Sequence, residues 1–128
     1  MRTLCFAAVA AALAAHTAHA DPDGVLVNGK STDHDRDLAS HAVTDALRAH
    51  GWMLDTKPLA PKAANAIAAC LTTREATKCA SRLVHENGLG KLAVLSLSPD
   101  PEHDQTLVLN ARVIVTGGDT IFLAQRYC

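Results

Sequence analysis

The 128-residue chain is poor in aromatic side chains, with one tryptophan, one tyrosine and two phenylalanines. So few rings supply neither a base-stacking platform for nucleic acid nor an aromatic shelf for sugars. An excess of either charge is also missing: 12 Lys and Arg stand against 13 Asp and Glu. That balance leaves no electrostatic footprint for nucleic acid or for an anionic membrane. There is no Gly-x-Ser-x-Gly elbow, and Gly88-Leu-Gly90 is too short for a phosphate loop and precedes a strand. A nucleophilic Ser or Cys needs a base and an orienting acid in reach. Cys128 has no histidine near it in sequence, and His85-Glu86 ends a helix without a matching Ser or Cys. The reading is therefore non-enzymatic, with no catalytic residue and no cofactor.

What is present begins with an export pattern. Arg2 is the only charged residue among the first 20, and the apolar run Leu4–Ala15 (LCFAAVAAALAA) follows it. His16-Thr17 and the small-x-small tripeptide Ala18-His19-Ala20 come next. A basic start, a short apolar core and a small-residue end make a secretory signal peptide. The run falls short of the roughly 20 apolar residues that span a bilayer. A lipoprotein needs a cysteine at the cleavage point, and Cys5 lies well ahead of it. The expectation is a signal peptide over residues 1–20, cleaved after Ala20, and a single domain over 21–128. The protein would be periplasmic or secreted, with no membrane span after cleavage. The mature chain of about 108 residues would hold one hydrophobic core, built from Leu, Val, Ile and Ala.

Cys5 would leave with the signal, so Cys70, Cys79 and Cys128 remain. Thiols tend to pair in an oxidising compartment, and three cannot all pair within one chain. Cys70 sits in the last turn of one expected helix and Cys79 one to two turns into the next. If those helices fold back on each other, the two form a disulfide; otherwise both are small core residues. Cys128 is then unpaired, and three readings stay open. It is a free end, a bridge to another chain that makes a disulfide dimer, or an alternative partner for Cys70 or Cys79.

The remaining pattern alternates strands and helices. Gly24–Asn28 is apolar and ends in Asn28-Gly29, a turn signal, so it reads as a strand. Ser31-Thr32-Asp33 offers caps, and acids at 33, 35 and 37 suit a helix start. Leu38, Ala42, Val43, Ala46 and Leu47 recur at helical spacing, and Gly51 closes a helix over about 35–50. Trp52–Asp55 reads as a second strand, stopped by Pro58 and Pro61. Pro61 suits the first turn of a helix running to Leu71. Thr72-Thr-Arg-Glu75 reads as a capping box for a third helix, whose apolar face is Ala76, Cys79, Ala80, Leu83 and Val84. Leu92–Leu97 is apolar on both sides, as in a strand covered on both faces or one facing a partner. Thr106–Thr116 alternates, and Gly117-Gly118-Asp119 turns it into a last strand over 120–127.

These elements predict an α/β (α+β) two-layer sandwich: a mixed five-stranded sheet, about three helices on one face, and a C-terminal β-hairpin. The segments His41–Leu54 (HAVTDALRAHGWML) and Gly88–Leu95 (GLGKLAVL), the latter followed by a long hairpin, carry a family resemblance. In this order the chain resembles the N-terminal domain of the TolB translocation protein and the CsgG-type envelope domains. The resemblance implies an adaptor that meets another envelope protein and does no chemistry.

If all helices lie on one face, the other face of the sheet is partly open. On the 106–116 strand that face carries Val108, Asn110, Arg112 and Ile114, the candidate interaction surface together with the terminal hairpin edge. Arg112→Glu or Ile114→Asp is then expected to spare the fold and weaken partner capture. The alternative is a small-ligand or metal-binding protein that uses surface histidines. Asp33-His-Asp-Arg-Asp37 starts like a calcium loop, but the sixth and twelfth positions are Leu38 and Thr44 rather than Gly and Glu. His34, His41 and His50 are spaced more widely than the three or four residues usual for a zinc pair on a helix. They read as exposed helix-surface residues, with His34, Asp37 and His41 as the weak metal alternative, so no metal ligand is assigned.

Overall fold

The computed structural model describes residues 2–13, 22–54, 59–116 and 122–128. Its elements are α1 (Arg2–Leu13), β1 (Gly24–Gly29), α2 (Asp33–Ala49), α3 (Pro61–Cys70), α4 (Ala76–Glu86), β2 (Lys91–Pro99), β3 (Leu107–Val115) and β4 (Phe122–Tyr127). The strands form one sheet in the order β1-β2-β3-β4. β1 runs parallel to β2, and β2, β3 and β4 form an antiparallel meander. The turn expected at Gly117–Asp119 lies outside the described residues.

Among the described residues the sheet has four strands, not five. The segment expected as a second strand makes a single bridge, Asp23 to Leu54. Asp23 explains why it stops there. Its backbone N–H donates to the Met53 carbonyl at 2.8 Å, while its carboxylate accepts the Met53 N–H at 2.9 Å. The side chain thus takes a donor that a ladder would have used.

The helices cover both faces of the sheet, which corrects the two-layer expectation. α1 and α2 share one core with Val25 and Val27 of β1, Ala93, Leu95 and Leu97 of β2, and Leu109, Ala111 and Val113 of β3. α3 and α4 share the other with Leu26, Leu92, Val94 and Ile114. Neighbouring strand residues point to opposite faces, so the two cores lie on opposite sides. β2 is buried on both sides from Lys91 to Leu95. Lys91, only 2% exposed, sets its ammonium 4.3 Å from the centre of the Trp52 ring.

Local sequence explains most helix ends. The Thr32 hydroxyl accepts the Asp35 N–H at 3.1 Å and caps α2. Gly51 follows α2 in the left-handed region at φ +94°. Pro61 opens α3. The expected capping box does not form. The Thr72 and Thr73 hydroxyls instead donate to the Ala69 and Cys70 carbonyls at 2.8 and 2.7 Å. They close α3, whose last carbonyls lack helical partners, and α4 starts only at Ala76. A buried contact that no sequence pattern signalled ties α4 to the sheet: the Ser81 hydroxyl donates to the Val115 carbonyl at 2.8 Å.

Two disulfides close the chain. Cys70 and Cys79 are bonded across the α3–α4 turn, a short loop worth about 2–3 kcal/mol in the chain-entropy model. Cys128, expected to be unpaired, is bonded to Cys5. The reason is the position of residues 2–13, which fold as α1 against α2 and reach β3 and β4. Phe6, Val9 and Ala10 are buried, Arg2 pairs with Asp35 at 2.7 Å, and Cys5 comes beside the end of β4. No described helix is long and apolar enough to cross a membrane.

Two glycines separate the costs of backbone strain and of crowding. Gly29 has φ +116°, and a Cβ there would lie 1.9 Å from the Leu97 carbonyl oxygen. Gly51 has φ +94° with open space around it. Gly51→Ala should therefore cost only the left-handed penalty of about 1–2 kcal/mol. Gly29→Ala should exceed it by at least about 1 kcal/mol, because the β1–β2 ladder must also part. Urea unfolding of the two variants measures the difference.

Candidate interaction surfaces

The four residues expected on an open face have different fates. Ile114 is 1% exposed and belongs to the core under α3 and α4, so it is not a surface residue. It lies where α4 crosses β3, fixed by the Ser81–Val115 bond one residue away. Val108 and Arg112 are half-buried and Asn110 is exposed. They sit on the part of the same face that the α3–α4 pair does not reach.

Register makes this open half a continuous polar surface. Asn28 of β1 pairs with Ser96, Ser96 with Asn110, and Asn110 with Gln125. Cross-strand partners share a face, so one row of amide and hydroxyl groups crosses all four strands. In the next row Ser98 pairs with Val108 and Val108 with Tyr127, and Tyr127 is 65% exposed. Asn28, Ser96, Gln125 and Tyr127 were not foreseen, because their meeting depends on strand order. The surface offers hydrogen-bond donors and acceptors in a flat array.

A second feature is a cleft of about 500 Å³ between α2, the start of β1 and the end of α4. Asp23, His41, Thr44, Asp45, Arg48 and Asn87 are among its lining residues. His41 and Asp45 stand one helical turn apart on α2. His34, His41 and His50 are all exposed. Among the described residues no three His, Cys, Asp or Glu side chains stand close enough to share a metal ion, so His34, Asp37 and His41 are not brought together as a site.

The loop after β2 is held by one carboxylate. Asp100 accepts the Glu102 N–H and the His103 imidazole Nδ1, each at 2.9 Å. The Glu102 N–H, and after it the His103 ring, hold the Asp100 carboxyl below its ordinary value. Gln105 completes the turn at φ 62°, and its carbonyl accepts an Arg2 N–H at 2.6 Å.

Two solved structures share this architecture. The LpoB C-terminal domain from Salmonella enterica matches with a TM-score of 0.58 at 12% identity, covering 96% of this chain and 94% of that one. The LpoB C-terminal domain from Escherichia coli matches with a TM-score of 0.57 at 13% identity over the same shares. The likeness is one of fold. It does not single out TolB or CsgG, the families that the strand and helix order resembles. No protein-family model and no curated protein sequence matches the chain.

Two predictions follow from this geometry. Ile114→Asp places an unpaired charge under α4 and should cost at least about 3 kcal/mol, whereas Arg112→Glu should stay within about 0.5 kcal/mol of the parent. Thermal unfolding separates them. The lowered Asp100 pKa gives stability that is present above the ordinary carboxylate value and lost as pH falls through the folded one. The Glu102 amide resonance should therefore hold its position from pH 7 to pH 5 and move only in more acid solution. In Asp100→Asn that acid-dependent movement should vanish.

Proposed function

We propose that this chain is an exported, non-enzymatic interaction module of the cell envelope, and that its partner is another envelope protein. The observation that carries the reading is the fold likeness to the LpoB C-terminal domains, which runs along nearly the whole of both chains. Export is read from the basic start, apolar core and Ala18-His19-Ala20 of the first 20 residues, with the mature domain beginning at Asp21. The Cys70–Cys79 bond is consistent with that route, since disulfides persist in oxidising compartments.

The partner surface in this reading is the open half of the sheet. Asn110, Arg112 and the row running through Ser96 and Gln125 supply polar contacts on a rigid platform. Flat polar surfaces of this kind are bound through a few central anchors rather than through area alone. Arg112 is central on β3 and half-buried, so it is the anchor to test.

The test is affinity capture of the tagged protein from envelope extracts, followed by identification of what is retained. Wild type should retain a specific envelope protein. Arg112→Glu, which keeps the fold, should lose most of it. Equal retention by wild type and Arg112→Glu would exclude this surface. Absence of the protein from the exported fraction would exclude the envelope reading as a whole.

A further inference from the structure

The cleft beside α2 is lined by polar side chains that make no polar contact within the fold. The core stripe of α2 is Ala39, Ala42, Val43 and Leu47. Ser40, Thr44 and Arg48 form the adjacent stripe at i, i+4 and i+8, and together with His41 and Asp45 they line the cleft. Among the described residues none of these five side chains makes a hydrogen bond or an ion pair. Asp45 and Arg48 stand three residues apart, close enough to pair on a helix, yet both remain exposed and unpaired. The two other polar side chains of the lining fix its frame. Asp23 accepts the Met53 N–H at 2.9 Å, and the Asn87 amide donates to the Leu83 carbonyl at 2.7 Å. The rest of the lining is apolar: Val25, Leu54 and Leu59 are half-buried and Leu89 is buried.

We propose that this cleft binds a small zwitterion with an apolar body, of the class of apolar amino acids and short apolar peptides with free ends. Arg48 takes the carboxylate, Asp45 takes the ammonium, and Leu54, Leu59 and Leu89 pack on the apolar side chain. The volume of about 500 Å³ falls within the roughly 300–1,000 Å³ of small-molecule sites. Charge selects the class. A plain anion would meet Arg48 but be repelled by Asp45, and a plain cation would meet the reverse. A molecule with one charge of each sign finds a complement for both, and a guanidinium holds a carboxylate by paired, charge-assisted hydrogen bonds. The Ser40 and Thr44 hydroxyls donate and accept between the two ends. Covering the leucines removes apolar surface from water. The site lies at the Gly24 end of β1, away from the polar row that starts at Asn28, so it stands apart from the partner surface at Arg112.

The experiment is calorimetric titration of the full chain, since no α1 residue lines the cleft. The probes are L-leucine, the dipeptide Leu-Leu, and Leu-Leu blocked either by N-acetylation or as the C-terminal amide. Leucine or Leu-Leu should bind saturably at one site, and each blocked peptide should bind about tenfold more weakly than the free one. Arg48→Gln should weaken Leu-Leu about tenfold and leave the amide unchanged, and Asp45→Asn should do the same for Leu-Leu and leave the acetylated peptide unchanged. Thr44→Trp, with its fold checked by circular dichroism, should fill the cleft and abolish binding. Absence of binding by both leucine and Leu-Leu at millimolar concentration would overturn the inference. So would blocked peptides that bind as tightly as the free one, or Asp45→Asn and Arg48→Gln variants that bind Leu-Leu like the parent. Each of these results leaves the partner reading standing, because that reading is tested at Arg112.

Discussion

Strand β2 needs cover on both of its faces, and the architecture follows from meeting that need. Its residues alternate between the two cores: Ala93 and Leu95 face α1 and α2, while Leu92 and Val94 face α3 and α4. The parallel β1–β2 pairing requires a long crossover, and the crossover supplies α2, α3 and α4. α2 returns over one face, and the α3–α4 hairpin, tied by Cys70–Cys79 and by Ser81 to Val115, covers the other. With a helix layer on each side, the open sheet surface among the described residues is the outer polar half beyond α4.

This division explains the distribution of polarity along β3. Leu107, Leu109, Ala111, Val113 and Val115 are buried on the α1–α2 side. On the opposite side burial deepens toward one end only: Asn110 is exposed, Arg112 half-buried and Ile114 fully buried. The α4 helix lies across the Ile114 end and leaves the Asn110 end open. A single strand therefore contributes to two cores and to one polar platform, and its place in the register decides which residue serves which.

Much of this was legible in the sequence. The helical stripe from Leu38 to Leu47, the Gly51 stop, Pro61 at the start of α3 and the alternation of β3 all came through, because each rests on local periodicity or backbone chemistry. The apolar run Leu92–Leu95 also carried the signal for cover on both faces. What stayed hidden depends on distance across the fold. The placement of α3 and α4 opposite α2 cannot be read from their own stripes, so Ile114 looked exposed when it is core. The polar row from Asn28 to Gln125 exists only once four strands are in register. The failed strand at Trp52–Asp55 turned on one carboxylate, Asp23, taking the Met53 amide. The threonines at 72 and 73 satisfied a capping pattern yet served the preceding helix, since a hydroxyl can donate backward as readily as it accepts forward.

The central claim is that the sheet is held by a helical cover on each face, α1 and α2 on one and the α3–α4 pair on the other. Hydrogen exchange tests it most directly. Strong protection of the β2 and β3 amides that lie under both covers is expected. Exchange in β2 as rapid as in the loop that follows it would contradict the claim, by showing that one cover does not hold.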